Sequence, residues 1–197
     1  MSFLKTVAED EAIGEVAELY LKATAQAGFL PNYMRIFSLH PEAYRAWRQL
    51  IGAIAKPMDE RRYELSTVGA ASRLRSTYCS LAHGEILSED HLEPSVVVRI
   101  VENPDQLPLE EVDARVFRFA RKVAADATSV TEEDIEGLRS AGLTEREILD
   151  VVLAAAARSF FTKVLDATGT LADSVYNEMD LELREALTVG RPIDRDS

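Results

Sequence analysis

Helical spacing of apolar residues runs through almost the whole chain, and this feature limits the fold most. The stripe in residues 9–27 consists of Ile13, Val16, Tyr20 and Ala23. Residues 109–126 carry a second stripe at the same spacing. No stretch shows the strict alternation of apolar and polar residues that a half-buried strand requires. The sequence therefore predicts an all-α protein of about eight helices.

Turn and capping residues mark several helix ends. Gly28 follows the first helix as a left-handed stop, and Asp59 can cap the helix that begins after it. The segments "TEED" at 131–134 and "TERE" at 144–147 both fit the capping box, and Gly142 separates the helices that they begin. The spacing in "TLADSVYNEMDLELREAL" predicts that helix continues after Gly169.

The length of 197 residues, of which 47% are hydrophobic, favours one domain over two. We expect a single domain over 1–197. It would contain a core segment at about 42–125 and C-terminal helices at 131–188. The segment 189–197 is polar and lacks periodicity, so the sequence predicts a loose tail there.

Charge and hydropathy exclude several classes of partner. The net charge of −12 is spread along the chain, whereas nucleic acid and anionic lipid both require a concentrated basic surface. No apolar run approaches the roughly 18 residues of a membrane span, and the N-terminus lacks the pattern of a signal peptide. We therefore expect a soluble, cytoplasmic protein that binds neither nucleic acid nor membrane.

The only cysteine, Cys79, lies within "RLRSTYCSLAHGE". If this segment is helical, His83 lies one turn beyond Cys79 on the same face. Ser76 at the N-cap would place Cys79 at the third helical position, where the helix dipole favours a thiolate, and His83 could accept the thiol proton. A lone cysteine in a helix is also commonly a small buried apolar residue. From spacing alone both interpretations stay open.

A single cysteine cannot form an internal disulfide, and no Cys-x-x-Cys pair is present to hold a structural zinc. The sequence predicts no metal and no cofactor.

Glu64 is a candidate carboxylate partner for His83. On one straight helix Glu64 and Cys79 would stand about 22 Å apart, because a helix rises ~1.5 Å per residue. A break between Leu74 and Thr77 would instead make two antiparallel helices and bring Glu64 opposite His83. The sequence therefore predicts such a break, with the order Glu64, His83, Cys79 in space.

These residues resemble the motif of the alkylhydroperoxidase AhpD-like and carboxymuconolactone decarboxylase superfamily, a Glu followed by Cys-x-x-Cys-x-x-x-His. The segments "HPEAYRAW" and "LRSAGLTEREILDVVLAAAARSFFTKVLDATG" are similar to its peroxidase-related branch. The resemblance implies an AhpD-like helical oligomer in which Cys79 is the peroxidatic thiol and Glu64 and His83 relay protons. Ser76 stands at the family's first cysteine, so no second thiol is present to resolve a sulfenic acid.

Three functions follow from these observations. The first is a one-cysteine antioxidant peroxidase whose partners are a small-molecule hydroperoxide and an external thiol reductant. The second is a non-redox acid–base enzyme like carboxymuconolactone decarboxylase, acting through Glu64 and His83. The third is a non-catalytic oligomeric binding protein with a vestigial site. The apolar run "VVLAAAARSFF" independently predicts a homo-oligomer, because it presents more apolar surface than one helix face usually buries.

Overall fold

The computed structural model describes residues 2–195, which form ten α-helices, three short 3₁₀ helices and no strand. The helices are α1 (Gly14–Ala27), α2 (Asn32–Phe37), α3 (Pro41–Ala55), α4 (Glu60–Arg73), α5 (Thr77–Asp90), α6 (Pro94–Glu102), α7 (Glu111–Asp126), α8 (Glu132–Ser140), α9 (Glu145–Ala167) and α10 (Leu181–Leu187). The all-α prediction is confirmed, whereas the expected number of eight helices was too low.

The predicted capping residues of α1, α4, α8 and α9 act as expected. Gly28 ends α1 with a φ of 82°, and the Asp59 side chain accepts a hydrogen bond from the backbone of Arg62 at 2.9 Å. Capping boxes begin α8 at Thr131 and α9 at Thr144. Because these bonds satisfy otherwise unpaired amides, they fix where each helix starts.

The centre of the molecule is α4, which packs against α5, α7 and α9. Its residues from Tyr63 to Ser72 are all buried, including the fully enclosed Leu65 and Val68. A Cβ at Gly69 would come 2.9 Å from the backbone oxygen of Phe117, so this glycine permits the close approach of α4 and α7. Because α4 is central, its polar residues are carried into the interior.

Helix α4 ends at Arg73 and α5 begins at Thr77, so the predicted break is confirmed. Arg75 adopts a left-handed conformation with φ of 60°. The amide of Ser76 donates to the carbonyl of Ala71 at 3.0 Å, and the amide of Arg75 donates to that of Ser72 at 3.1 Å. This is the Schellman pattern of a helix end, with arginine where glycine is usual.

Residues 188–195, here called the C-terminal strap, pack over this break. The backbone amide of Gly190 donates to Thr77 Oγ1 at 2.8 Å, and Arg75 Nε donates to the carbonyl of Val189 at 3.1 Å. A Cβ at Gly190 would lie 1.9 Å from the Arg75 carbonyl oxygen, so only glycine fits there. The loose tail predicted at 189–197 is therefore wrong for residues 189–195, because hydrogen bonds hold this segment against the start of α5. Residues 196 and 197 lie outside the described part of the chain.

The helix predicted to continue after Gly169 is also wrong in part. Residues 170–173 are not helical, and a 3₁₀ turn (Ser174–Glu178) precedes α10. The buried carboxylate of Asp173 accepts hydrogen bonds from the backbone of Asn32, at 2.7 Å, and from the hydroxyl of Tyr78. These long-range bonds hold the segment in a non-helical path.

Across residues 2–195, no helix combines the length and the apolar character needed to cross a membrane.

Candidate active site

Cys79 lies in the first turn of α5 at the wall of a pocket of about 860 Å³. Its side chain is buried, with 2% of the residue exposed. Aromatic side chains form much of the remaining wall, namely Tyr33, Tyr44, Trp47, Tyr63, Phe161 and Tyr176. The thiol thus borders a largely apolar, partly open pocket that could take up a small organic molecule.

His83 lies one turn further along α5 and borders the same pocket. Its Nδ1 is 2.7 Å from Oε2 of Glu64, which projects from the centre of α4 and is 7% exposed. The break between the two helices makes this contact possible, as the sequence predicted. The predicted contact is confirmed, while the catalytic roles of Glu64, His83 and Cys79 stay predictions.

The surroundings of His83 favour an uncharged imidazole. Burial is the main cause that lowers its pKa, and the positive charge of Arg158 lowers it further, although Glu64 acts in the opposite direction. In the neutral ring, Nδ1–H donates to the Glu64 carboxylate, which leaves Nε2 as an acceptor. His83 is therefore arranged to take up a proton.

The thiol of Cys79 differs from the expectation. Helix position was expected to lower its pKa, but burial raises it, and the opposing effect of Arg158 is smaller. The loss of hydration thus outweighs the favourable field at the start of α5. At neutral pH the resting thiol is protonated, so a thiolate must be generated within the site.

Ser76 occupies the N-cap of α5, as the sequence predicted, and is fully buried. Its hydroxyl makes no capping bond to the helix, contrary to the expected role. It is near enough to Cys79 and Asp166 to lower the pKa of both groups, but it has no hydrogen bond of ordinary geometry to either. Ser76 therefore fills the position beside the thiol without replacing a second cysteine chemically.

Sequence reasoning missed Arg158, which α9 directs into the pocket. The residue is 3% exposed, and its Nη1 lies 3.6 Å from Cys79 Sγ. The signal was present, because Arg158 is the one charged residue within the otherwise apolar run "VVLAAAARSFF". Its guanidinium places a positive charge beside the sulfur.

Within the described part of the chain, no three His, Cys, Asp or Glu side chains come together as a metal site would require.

Comparison with solved structures identifies the fold. An alkylhydroperoxidase AhpD core structure, an uncharacterized peroxidase-related protein from Ralstonia eutropha JMP134, matches with a TM-score of 0.78 and 21% identity over 96% of this chain and 98% of that chain. A peroxidase-related protein from Silicibacter sp. TM1040 matches with a TM-score of 0.75 and 19% identity over 90% of this chain and 92% of that one.

A third similar structure is the debrominase Bmp8, a cysteine-to-alanine variant in complex with 2,3,4-tribromopyrrole. It matches with a TM-score of 0.71 and 14% identity over 95% of this chain and 98% of that chain. No family model and no curated protein matches the sequence. The chain has the AhpD-like fold, so the resemblance seen in the motif is confirmed at the level of the fold.

Proposed function

We propose that this protein is a thiol-dependent peroxidase that reduces hydroperoxides through Cys79. One observation carries the proposal: the break between α4 and α5 leaves Cys79 and His83 at the wall of one pocket, with Glu64 in contact with His83 behind that wall. The fold shared with peroxidase-related proteins supports the same chemistry. Cys79 and His83 lie one turn apart on α5 and border the same pocket, so the thiol is the candidate nucleophile and the uncharged histidine its candidate base.

The reaction follows from these protonation states. His83 Nε2 accepts the proton of the Cys79 thiol while Glu64 holds Nδ1. The thiolate attacks the terminal oxygen of the hydroperoxide, so that a sulfur–oxygen bond forms and the oxygen–oxygen bond breaks. Sulfur is oxidised to sulfenic acid as the hydroperoxide is reduced, and the departing alkoxide takes the proton from His83 to become an alcohol.

Regeneration requires a reductant from outside the chain. Ser76 cannot form a disulfide with Cys79, so an external thiol must attack the sulfenic acid and release water. A second external thiol then reduces the mixed disulfide and restores Cys79. The pocket gives such a thiol a route to the sulfur.

The decisive experiment is sulfenic acid trapping after addition of one equivalent of cumene hydroperoxide. The native protein should give one trapped adduct per chain at Cys79, and Cys79→Ser should give none. Ser76→Cys should instead lose both thiols to a disulfide that a dithiol reduces, because the pair occupies the spacing of redox motifs. An unmodified thiol after excess hydroperoxide in a folded protein contradicts the proposal.

A second candidate function is thiol-dependent debromination of a small aromatic molecule. The aromatic side chains of the pocket wall beside Cys79 favour a flat, ring-shaped substrate. Bmp8, which has a similar fold, holds 2,3,4-tribromopyrrole in its crystal structure. Bromide release from 2,3,4-tribromopyrrole in the presence of a thiol tests it. Peroxide reduction or bromide release that survives in Cys79→Ser would contradict both thiol reactions. Turnover of a small acid or lactone by Cys79→Ser would instead favour the non-redox acid–base alternative. A protein inert in every assay would be the vestigial binding protein.

We also propose that the protein is a homo-oligomer that pairs through α9. Leu149, Leu153 and Phe160 are exposed on one face of this helix, spaced by four and then seven residues. That spacing matches the seam along which two copies of one helix pack. Sedimentation should show an assembly at micromolar concentration, and Phe160→Glu should dissociate it. The exposed Leu21→Glu on α1 is the control. A monomeric native protein contradicts the proposal.

A further inference from the structure

Arg158 is a buried cation without a buried anion. No carboxylate of residues 2–195 lies within 4.0 Å of its guanidinium, and its Nε has no hydrogen-bond partner. Its Nη1 lies 3.6 Å from Cys79 Sγ, and its guanidinium carbon lies over the Phe161 ring at 5.7 Å from the ring centre. Arginine is rarely buried to this extent unless it is paired, so its counter-charge has to come from the site.

Two acidic groups near the pocket are otherwise engaged. Glu64 on α4 binds His83, and Asp173 accepts hydrogen bonds from Tyr78 and Asn32. Those carboxylates are therefore unavailable to pair with the guanidinium.

Two further groups influence the sulfur. Asp166 on α9 and the Tyr176 hydroxyl are both close enough to interact electrostatically with Cys79, and a negative charge on either would oppose a thiolate. Arg158 is the cation in contact with the sulfur. Glu85 lines the same pocket but makes no ion pair with Arg158, so the group in contact with the guanidinium that can become an anion is Cys79.

We propose that Arg158 is a catalytic residue of this site: it holds the negative charge of the Cys79 thiolate and drives the proton on His83 toward the departing oxygen. The inference rests on the proposed thiol chemistry. When Cys79 passes its proton to His83, sulfur gains a negative charge 3.6 Å from the guanidinium. The same guanidinium repels the imidazolium that forms, so the proton moves on to the alkoxide as the oxygen–oxygen bond breaks.

In the resting site, the charge of Arg158 already affects both the thiol and the histidine in the way that this role requires. Arg158 lowers the pKa of Cys79 against the opposing effect of burial, and it also lowers the pKa of His83. A single charge thus makes the thiol a better acid and the histidine a weaker base. Once the thiol has passed its proton to His83, the same charge weakens the hold of the imidazole on it, which suits a relay that must release the proton to a substrate.

The test compares the ionisation of Cys79 in the native protein, Arg158→Met and Arg158→Lys. Thiolate absorbance is measured from about pH 5 to about pH 10, and the absorbance of the matching Cys79→Ser protein is subtracted. An adjacent opposite charge shifts a pKa by about 1–3 units, so Arg158→Met should contain roughly tenfold less thiolate at neutral pH and react that much more slowly with iodoacetamide. Arg158→Lys should lie between it and the native protein.

The matched control is Arg146→Met, which removes the same charge from α9 at a side chain that is 73% exposed. It should leave the titration unchanged, because solvent screens its charge. Coincident titration curves for Arg158→Met and the native protein would overturn the proposal. Neither readout uses a peroxide, so a failure of the proposed peroxidase function is a separate result.

A second pair of variants keeps Arg158 in place in case its replacement prevents folding. Cys79→Asp puts a carboxyl group beside the guanidinium, whose charge favours the ionised form, whereas Cys79→Asn has the same shape and cannot ionise. The aspartate protein should have the higher midpoint of thermal unfolding at neutral pH. An equal or lower midpoint for Cys79→Asp would show that Arg158 does not accept an anion at this position and would overturn the proposal.

Discussion

Two stretches of the chain begin alike and then diverge. The α4–α5 pair starts behind Asp59 and α9 starts behind Thr144, each capped by a side chain. With residue 59 laid on residue 144, "ERRYELSTVGAASR" and "EREILDVVLAAAAR" share their first two residues, two alanines and the final arginine. Helix α4 stops after 14 residues, whereas α9 continues for 23.

Arg73 and Arg158, which occupy matched positions in this alignment, show the consequence of the difference in helix length. Arg73 is exposed at the end of α4, and Arg158 is buried in the middle of α9. The break folds α5 back along α4 and thereby joins His83 to Glu64. The unbroken α9 instead runs past the pocket and carries its arginine to Cys79. The candidate site therefore needs one helix that breaks and one that does not.

The largest expected effect comes from the product of the break, the contact between Glu64 and His83. Glu64→Gln removes the carboxylate that orients the imidazole and stabilises its charged form. Peroxide reduction should fall by about a hundredfold, within the range for general acid–base groups. Steady-state rates with cumene hydroperoxide and excess thiol measure it.

The control for this prediction is Glu60→Gln at the exposed start of the same helix, which should retain the native rate. A Glu64→Gln enzyme within twofold of the native rate would show that the carboxylate plays no part in the relay.

A smaller effect is expected at the C-terminal strap. Gly190→Ala places a Cβ 1.9 Å from the Arg75 carbonyl oxygen, so the strap must move away from the break. We expect a loss of about 2–3 kcal/mol in the free energy of unfolding, measured with urea.

Gly52→Ala is the matched control, because nothing lies within 4 Å of its new methyl group on α3. That change should instead stabilise the protein by about 0.5–1 kcal/mol. Equal stabilities for Gly190→Ala and the native protein would mean that the strap does not restrain the break.

Glycine and alanine variants should have opposite orders of stability in the two regions. Arg75→Gly should be about 1 kcal/mol more stable than Arg75→Ala, because only the alanine retains a Cβ at the left-handed φ of 60°. On α9 the matched position is Phe160, where Phe160→Gly should be about 1 kcal/mol less stable than Phe160→Ala.

Both Arg75 variants lose the same hydrogen bond to the strap, so the difference in stability between them reports backbone conformation alone. Urea midpoints of the four proteins provide the measurement. The same order at both positions would contradict the assignment of a break at one and continuous helix at the other.

Apolar periodicity, capping residues and the motif predicted most of the helices and the break between α4 and α5. Some of these features were specified by local residues, whereas the break was inferred from a distance. Thr144 and Gly28 act locally, so the residues themselves specified their helix ends. The break at Arg75 has no glycine to mark it, and it was predicted only because Glu64 and His83 otherwise stand too far apart.

The errors have a common cause in long-range contacts. The conformation of residues 170–173 depends on Asp173 meeting Asn32 and Tyr78, and the strap depends on Gly190 meeting Thr77. Neither pairing can be read from neighbours in the sequence. The direction of the Cys79 pKa shift was wrong for the same reason, because burial is set by the whole fold.

The smallest expected effect is a pH dependence of stability that the buried His83 contributes. Its pKa in the folded protein lies below the ordinary value of 6.5, so the unfolded chain binds a proton there before the folded protein does. The contribution is fully present above pH 6.5 and is lost as the pH falls toward the folded pKa. Native protein should therefore lose stability on acidification through this window.

His83→Gln should lose less stability over the same pH range, because the variant has no imidazole to protonate on unfolding. Urea unfolding at several pH values measures the difference. The buried carboxyl groups of Asp113 and Asp173 have raised pKa values and change the stability in the opposite direction. Subtracting the variant's stability curve from the native curve cancels their contribution, because both proteins contain them. His91→Gln, at the far end of α5, should follow the native curve. If His83→Gln also follows it, the imidazole is hydrated rather than enclosed, and the break in the helix has not buried the proton acceptor on which the relay depends.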